Sequence, residues 1–174
     1  MRRLSLVMVM VVCAPACSAP APLFTPGTPD DLTALATDTF DAVVESFPSR
    51  RDCLEDVTIT GAWELDDRAR YQPDERRVTV RIPATAAQLE VSMVHEIAHH
   101  LEFACPLDDE ERAAFLVAQG FEPDDAWLDG ATWETTPSEH WATAVVTHVL
   151  GRADPHARIV IEQQALDVVA AWAG

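Results

Sequence analysis

With 174 residues the chain is about one domain long, and a hydrophobic content of 48% is enough to bury a core. Its 29 acidic residues outnumber 12 basic ones, all of them arginine, for a formal charge of −17. A surface of that sign repels nucleic acid and anionic lipid, and it argues against a phosphate-binding role.

The first residues read as an address. Arg2 and Arg3 precede an apolar run from Leu4 to Val12, and small residues follow at Ala14 and Ala16. That order is the charged, hydrophobic and cleavage region of a secretory signal over 1–16, and the run is too short to span a bilayer. Ala16-Cys17-Ser18 looks like the processing point of a bacterial lipoprotein, with Cys17 as the lipidated residue. Ordinary cleavage after Ala14-Pro15-Ala16 is the competing reading. Either way the expected location is secreted, or anchored through lipid on the outer face of the bacterial cell membrane. Cys13 falls in the signal, which leaves Cys53 and Cys105 as an even pair in an oxidising compartment, and a disulfide between them is expected. No C-x-x-C pair is present for thiolate zinc binding.

Residues 17–29 are rich in Pro, Ala, Ser and Thr and read as a flexible linker, with one domain over 30–174. Thr28-Pro29-Asp30-Asp31 has the form of a helix start, Thr28 supplying the capping hydroxyl. Apolar Leu32, Leu35, Ala36, Phe40, Val43, Val44 and Phe47 follow at helical spacing. Val57–Trp63, Arg68–Gln72 and Val78–Ile82 read as strands, the last two joined by the turn cluster Pro73-Asp74-Glu75. They predict a small antiparallel sheet. Thr85 can cap a helix over about 86–103, and Asp108-Asp109-Glu110-Glu111 opens another that stops at Gly120. Residues 121–134 read as an ordered loop in which Trp127 and Trp133 serve packing. A helix from Thr136 to Leu150 and a last one over about 162–172 complete the chain, with 158–161 a candidate short strand. The fold class is α+β.

The chemistry concentrates in Val94-His95-Glu96-Ile97-Ala98-His99-His100. On a helix, His95 and His99 share a face one turn apart and can reach a single metal ion, while Glu96 lies beside that ion rather than on it. Val91, Val94, Ile97, Ala98 and Leu101 form an apolar back, and His95, His99 and Ser92 a polar front. The alternative is a surface helix with two solvated histidines. A third donor is needed, and Glu139 offers one: it heads the face of Ala142, Thr143, Val146 and Leu150, where a carboxylate needs a partner. The competing reading of Glu139 is a capping box with Thr136.

His95–His100 followed by Ser138-Glu139-His140-Trp141-Ala142 resembles the gluzincin branch of the zincin metallopeptidases, and more closely its small secreted or lipoprotein members with a minimal core. The likeness covers roughly residues 78–150. It implies Zn²⁺ at His95, His99 and Glu139, Glu96 as general base, and a small sheet packed on the motif helix, whose edge strand, Val78–Ile82, binds extended peptide. The substrate would be a peptide or protein and the molecule a monomer. Active gluzincins add a Tyr or His that steadies the oxyanion, and the candidates here are His100, His140 and Tyr71; His148 and His156 read as structural. A zinc-binding module without turnover, built on the same scaffold, is the alternative from another functional class.

Overall fold

The computed structural model describes residues 19–154 and 157–174. The signal, its cleavage point, Cys17 and His156 lie outside those residues. The described elements are β1 (Leu23–Phe24), α1 (Asp30–Ser46), β2 (Thr58–Ala62), β3 (Ala69–Gln72), β4 (Arg77–Arg81), α2 (Ala86–Ala104), α3 (Asp109–Ala118), α4 (Pro137–Leu150) and α5 (Gln163–Ala173), with short 3₁₀ turns at Pro48–Leu54, Pro73–Glu75 and Trp133–Thr135. The fold is α+β, as the alternation of periods implies.

The helices begin where local chemistry starts them. Thr85 and Gln88 close a reciprocal capping box on α2, and Asp108 with Glu111 does the same for α3. α4 starts on Pro137, whose missing N–H costs nothing there, and stops at Gly151 in the left-handed region at φ 63°. Thr28 departs from expectation. Its hydroxyl bonds back to the Thr25 carbonyl in a turn, and α1 starts without a side-chain cap. Residues 158–161 form no strand.

The sheet is mixed rather than antiparallel, in the order β1-β2-β4-β3. β2 runs parallel to both β1 and β4, and only β3–β4 is an antiparallel hairpin. Side-chain character explains the order. β4 buries Val78 and Val80 completely and belongs in the middle, whereas Ala69-Arg70-Tyr71-Gln72 is polar enough for an edge. The chain therefore leaves β2, steps over one strand position, and returns through the Pro73–Glu75 turn to insert β4 between its predecessors. Leu23 and Phe24, expected in the linker, pair with Thr58 and Ile59 and extend the sheet. The edge nearest the motif helix is thus β3, not Val78–Ile82.

α2 touches β3 and β4 of the sheet and also α1 and α4, so sheet and helices meet through it. Its back, with Val94, Ile97, Ala98 and Leu101 fully buried, shares one core with Phe40, Phe47, Phe115 and Trp141. At its end, Cys105 is bonded to Cys53. The bridge ties α2 to the 3₁₀ turn that precedes β2. No described helix is long and apolar enough to cross a membrane.

The bridge spans 52 residues of sequence, a loop whose closure removes unfolded-state entropy worth about 4 kcal/mol. The double variant C53S/C105S should therefore unfold at a clearly lower urea concentration than the oxidised protein, by up to about 4 kcal/mol, with a steeper slope because its unfolded chain is less compact. Equal midpoints would show that the bridge does not stabilise the fold.

Candidate metal centre

One face of α2 carries the polar Ser92, His95, Glu96, His99 and Glu102, which with Phe103 line a cleft of about 680 Å³. The opposite wall comes from Leu128, Trp133, Glu134 and the start of α4, and β3 contributes Ala69 to Tyr71. At the cleft floor the donor atoms of His95, His99 and Glu139 lie within 4.8 Å of one another. Oε2 of Glu139 is 2.9 Å from Nε2 of His95 and 3.5 Å from Nε2 of His99. The two imidazoles are 4.9 Å apart, neighbours as the one-turn spacing implies, and nearly perpendicular.

Glu139 is not engaged in a capping box. Thr136 makes no side-chain cap and its backbone N–H bonds to the Trp133 carbonyl, so the Glu139 carboxylate is left to face the two histidines.

Two further residues finish the arrangement. Nδ1 of His99 donates to Oε1 of Glu102 at 3.0 Å, and the indole N–H of Trp127 donates to Oε2 of the same carboxylate at 3.1 Å. An Nδ1–H held this way turns Nε2 toward the other ligands. For His99, burial is the largest single effect and favours the neutral ring. The hydrogen bonds and charges of Glu102 and Glu139 together outweigh it, and its pKa is pushed up to about 10. Burial likewise works against ionised Glu139, yet hydrogen bonds from His95 and His99 hold its carboxyl well below the ordinary carboxylate range. Glu96 is buried beside them; burial raises its pKa, while the neighbouring histidines oppose the rise.

The oxyanion candidates fare differently. His100, an oxyanion candidate from the sequence, is buried behind the cleft: its Nε2–H donates to the Cys53 carbonyl at 2.7 Å, and Nδ1 accepts from the Tyr71 hydroxyl at 2.9 Å. Burial lowers its pKa, which suits this neutral form. His140 is turned away from Glu139, donating to the Glu134 carbonyl and accepting from the Gln119 amide. Tyr71 does line the cleft, but its hydroxyl is the one bonded to His100. His148 packs on Phe47 and reaches the Ser46 carbonyl, a structural role as expected.

The sequence reading missed Glu102, Trp127 and the face that Trp133 presents. Glu102 had a signal: it follows His95 by seven residues and His99 by three, the spacing of one helical face. Trp133, read as packing, stacks over His95 at 6.0 Å and stays 43% exposed to the cleft. Trp127 packs as read, and its N–H serves Glu102 besides.

Comparison with protein-family models, curated proteins and solved structures finds no match. The site is therefore judged on its donors. Two imidazole nitrogens and a carboxylate oxygen, converging at the floor of an open cleft with one imidazole already oriented by a buried carboxylate, could hold a metal ion that keeps a position free.

With His99 raised from about 6.5 to about 10, its bonds stabilise the metal-free fold fully below pH 6.5, and that contribution is lost as pH climbs through 10. A metal must displace the same proton. Zinc affinity should therefore rise with pH across that window, and titration calorimetry in buffers of different ionisation enthalpy near pH 8 should report about one proton released per zinc.

Proposed function

We propose that this chain is an extracytoplasmic zinc-dependent peptidase of the gluzincin-like kind, acting as a monomer on peptide or protein substrates. One observation carries the reading: His95, His99 and Glu139 converge within 4.8 Å at the floor of a cleft that also holds buried Glu96. A zinc ion in that cluster would supply Lewis acidity, polarising a scissile carbonyl and acidifying water.

Glu96 then acts as general base. Its carboxylate takes the proton of the attacking water and passes it to the leaving amine, so the group ends the cycle as it began. A pKa raised by burial brings it nearer to neutral, where a base of this kind is most effective.

Substrate alignment falls to β3. Arg81 N–H bonds to the Arg68 carbonyl, so the alternation of an antiparallel pair directs the N–H and C=O of Ala69 and Tyr71 away from β4. The Tyr71 N–H is bonded to Glu96, so an extended peptide can pair with the Ala69 groups and the Tyr71 carbonyl on that edge while Phe103, Leu128 and Trp133, apolar and exposed on the cleft walls, meet its side chains. The disulfide and the signal-like first residues support an address outside the cytoplasm.

The engagement of His100, His140 and the Tyr71 hydroxyl elsewhere favours a second reading, a zinc-binding module without turnover. The two separate cleanly. On the peptidase reading, a broad peptide library is cleaved by the zinc-loaded protein and not by the chelated form. Glu96→Gln should keep stoichiometric zinc while lowering cleavage by about 10²–10⁴-fold. Tight zinc with no cleavage of any library member would establish the second reading, and unimpaired cleavage by Glu96→Gln would exclude the mechanism.

His95→Ala removes a ligand under both readings. It should abolish stoichiometric zinc and the rise in thermal midpoint that zinc confers on the unsubstituted protein. A fortuitous motif would leave both quantities unchanged.

A further inference from the structure

We propose that Trp127 is a positioning residue for the metal centre, holding both of the segments that supply its ligands. The proposal rests on reading His95, His99 and Glu139 as zinc ligands. Two hydrogen bonds carry it, one from each end of the residue.

The indole Nε1–H donates to Oε2 of Glu102 at 3.1 Å, and Oε1 of that carboxylate accepts from Nδ1 of His99 at 3.0 Å. The Glu102 side chain is only 4% exposed. A carboxylate so deep is costly without partners on its oxygens, and the indole supplies one of them. Fixing Glu102 fixes the plane and tautomer of the His99 ring, the condition for Nε2 to face the site.

At the other end, the Trp127 carbonyl accepts the N–H of Ser138 at 2.9 Å. Ser138 lies in the first turn of α4, where backbone N–H groups have no partner within the helix, and it immediately precedes Glu139. One residue of the segment between α3 and α4 thus steadies an imidazole on α2 and the backbone that carries the third ligand.

Trp127 is itself anchored to the core. Its ring meets Phe115 edge-on at 5.8 Å and Trp141 at 6.2 Å, both fully buried, with the Arg112 guanidinium 5.5 Å over the ring. A residue that only filled space would need the ring and not the N–H.

That difference is the test. Trp127→Phe keeps an aromatic ring and the backbone carbonyl but removes the indole donor. Zinc dissociation constants from chelator competition should show affinity weakened by about tenfold. Cobalt substituted for zinc should show shifted d–d absorption bands, because the ligand geometry has changed. Glu102→Gln tests the same link from its other side. The isosteric amide loses the charge and cannot accept from both His99 and Trp127, so zinc should bind about 10–100-fold more weakly. Since Trp127's side chain acts through Glu102, the double variant should bind no more weakly than Glu102→Gln alone.

Native zinc affinity and a native cobalt spectrum in Trp127→Phe would overturn the proposal, as would additive losses in the double variant. Should Trp127→Phe fail to fold, Glu102→Gln decides: native affinity and spectrum there overturn it. Failure of the unsubstituted protein to take up zinc is a separate result, which removes the metal reading itself.

Discussion

Glu139 sits in the first turn of α4 and the two imidazoles it faces sit midway along α2, so the centre exists only while those helices keep one crossing. Distances of 2.9 and 3.5 Å from one carboxylate oxygen to two rings leave little room for sliding. What holds the crossing is ordinary packing. Val94, Ile97 and Leu101 of α2 and Trp141, Ala142 and Val145 of α4 are all fully buried in one core. A close-packed interior resists displacement in a way a flexible surface pairing would not, and the polar cluster inherits that rigidity.

This dependence accounts for which parts of the molecule were legible in the sequence. α2 was readable almost entirely, because its cap, its apolar back and its histidine face are all set by residues within a few turns of one another. Glu139 was half readable. Its place at the head of a buried face was visible, but the choice between a cap for α4 and a ligand turns on where the Thr136 backbone N–H goes, and the Trp133 carbonyl takes it. The hairpin of β3 and β4 followed from its turn residues, whereas the insertion of β4 beside β2 is a pairing between segments that no local pattern specifies. The partners of His100 and His140 were equally out of reach. Cys53 lies 47 residues from His100 and Gln119 lies 21 from His140, and folding alone brings them together.

Adjacent histidines show how sharply neighbours divide roles. His99 and His100 differ by one step of the helix, about 100° of rotation. That step carries the second ring from the cleft into the core. His99 finds carboxylates, which favour its charged form and leave a nitrogen that a metal can take once the proton is displaced. His100 finds a carbonyl and a hydroxyl, which commit one nitrogen as donor and the other as acceptor and leave nothing for a ligand. Identical side chains in a run of two thus become a candidate ligand and a structural strut.

The strut matters to the cleft because of what it joins. His100 connects the carbonyl of Cys53, itself bridged to the end of α2 through Cys105, to the hydroxyl of Tyr71 on the open edge of the sheet. The cleft wall formed by β3 is thereby referenced to α2 near the disulfide, through a bond network centred on buried His100. The facing wall is referenced to α2 through Trp127 and Glu102. Both walls are therefore measured from the helix that carries two of the three candidate ligands. A change in the packing of α2 would shift the floor of the cleft and its sides together, which lets one helix set the geometry of a site assembled from segments far apart in the chain.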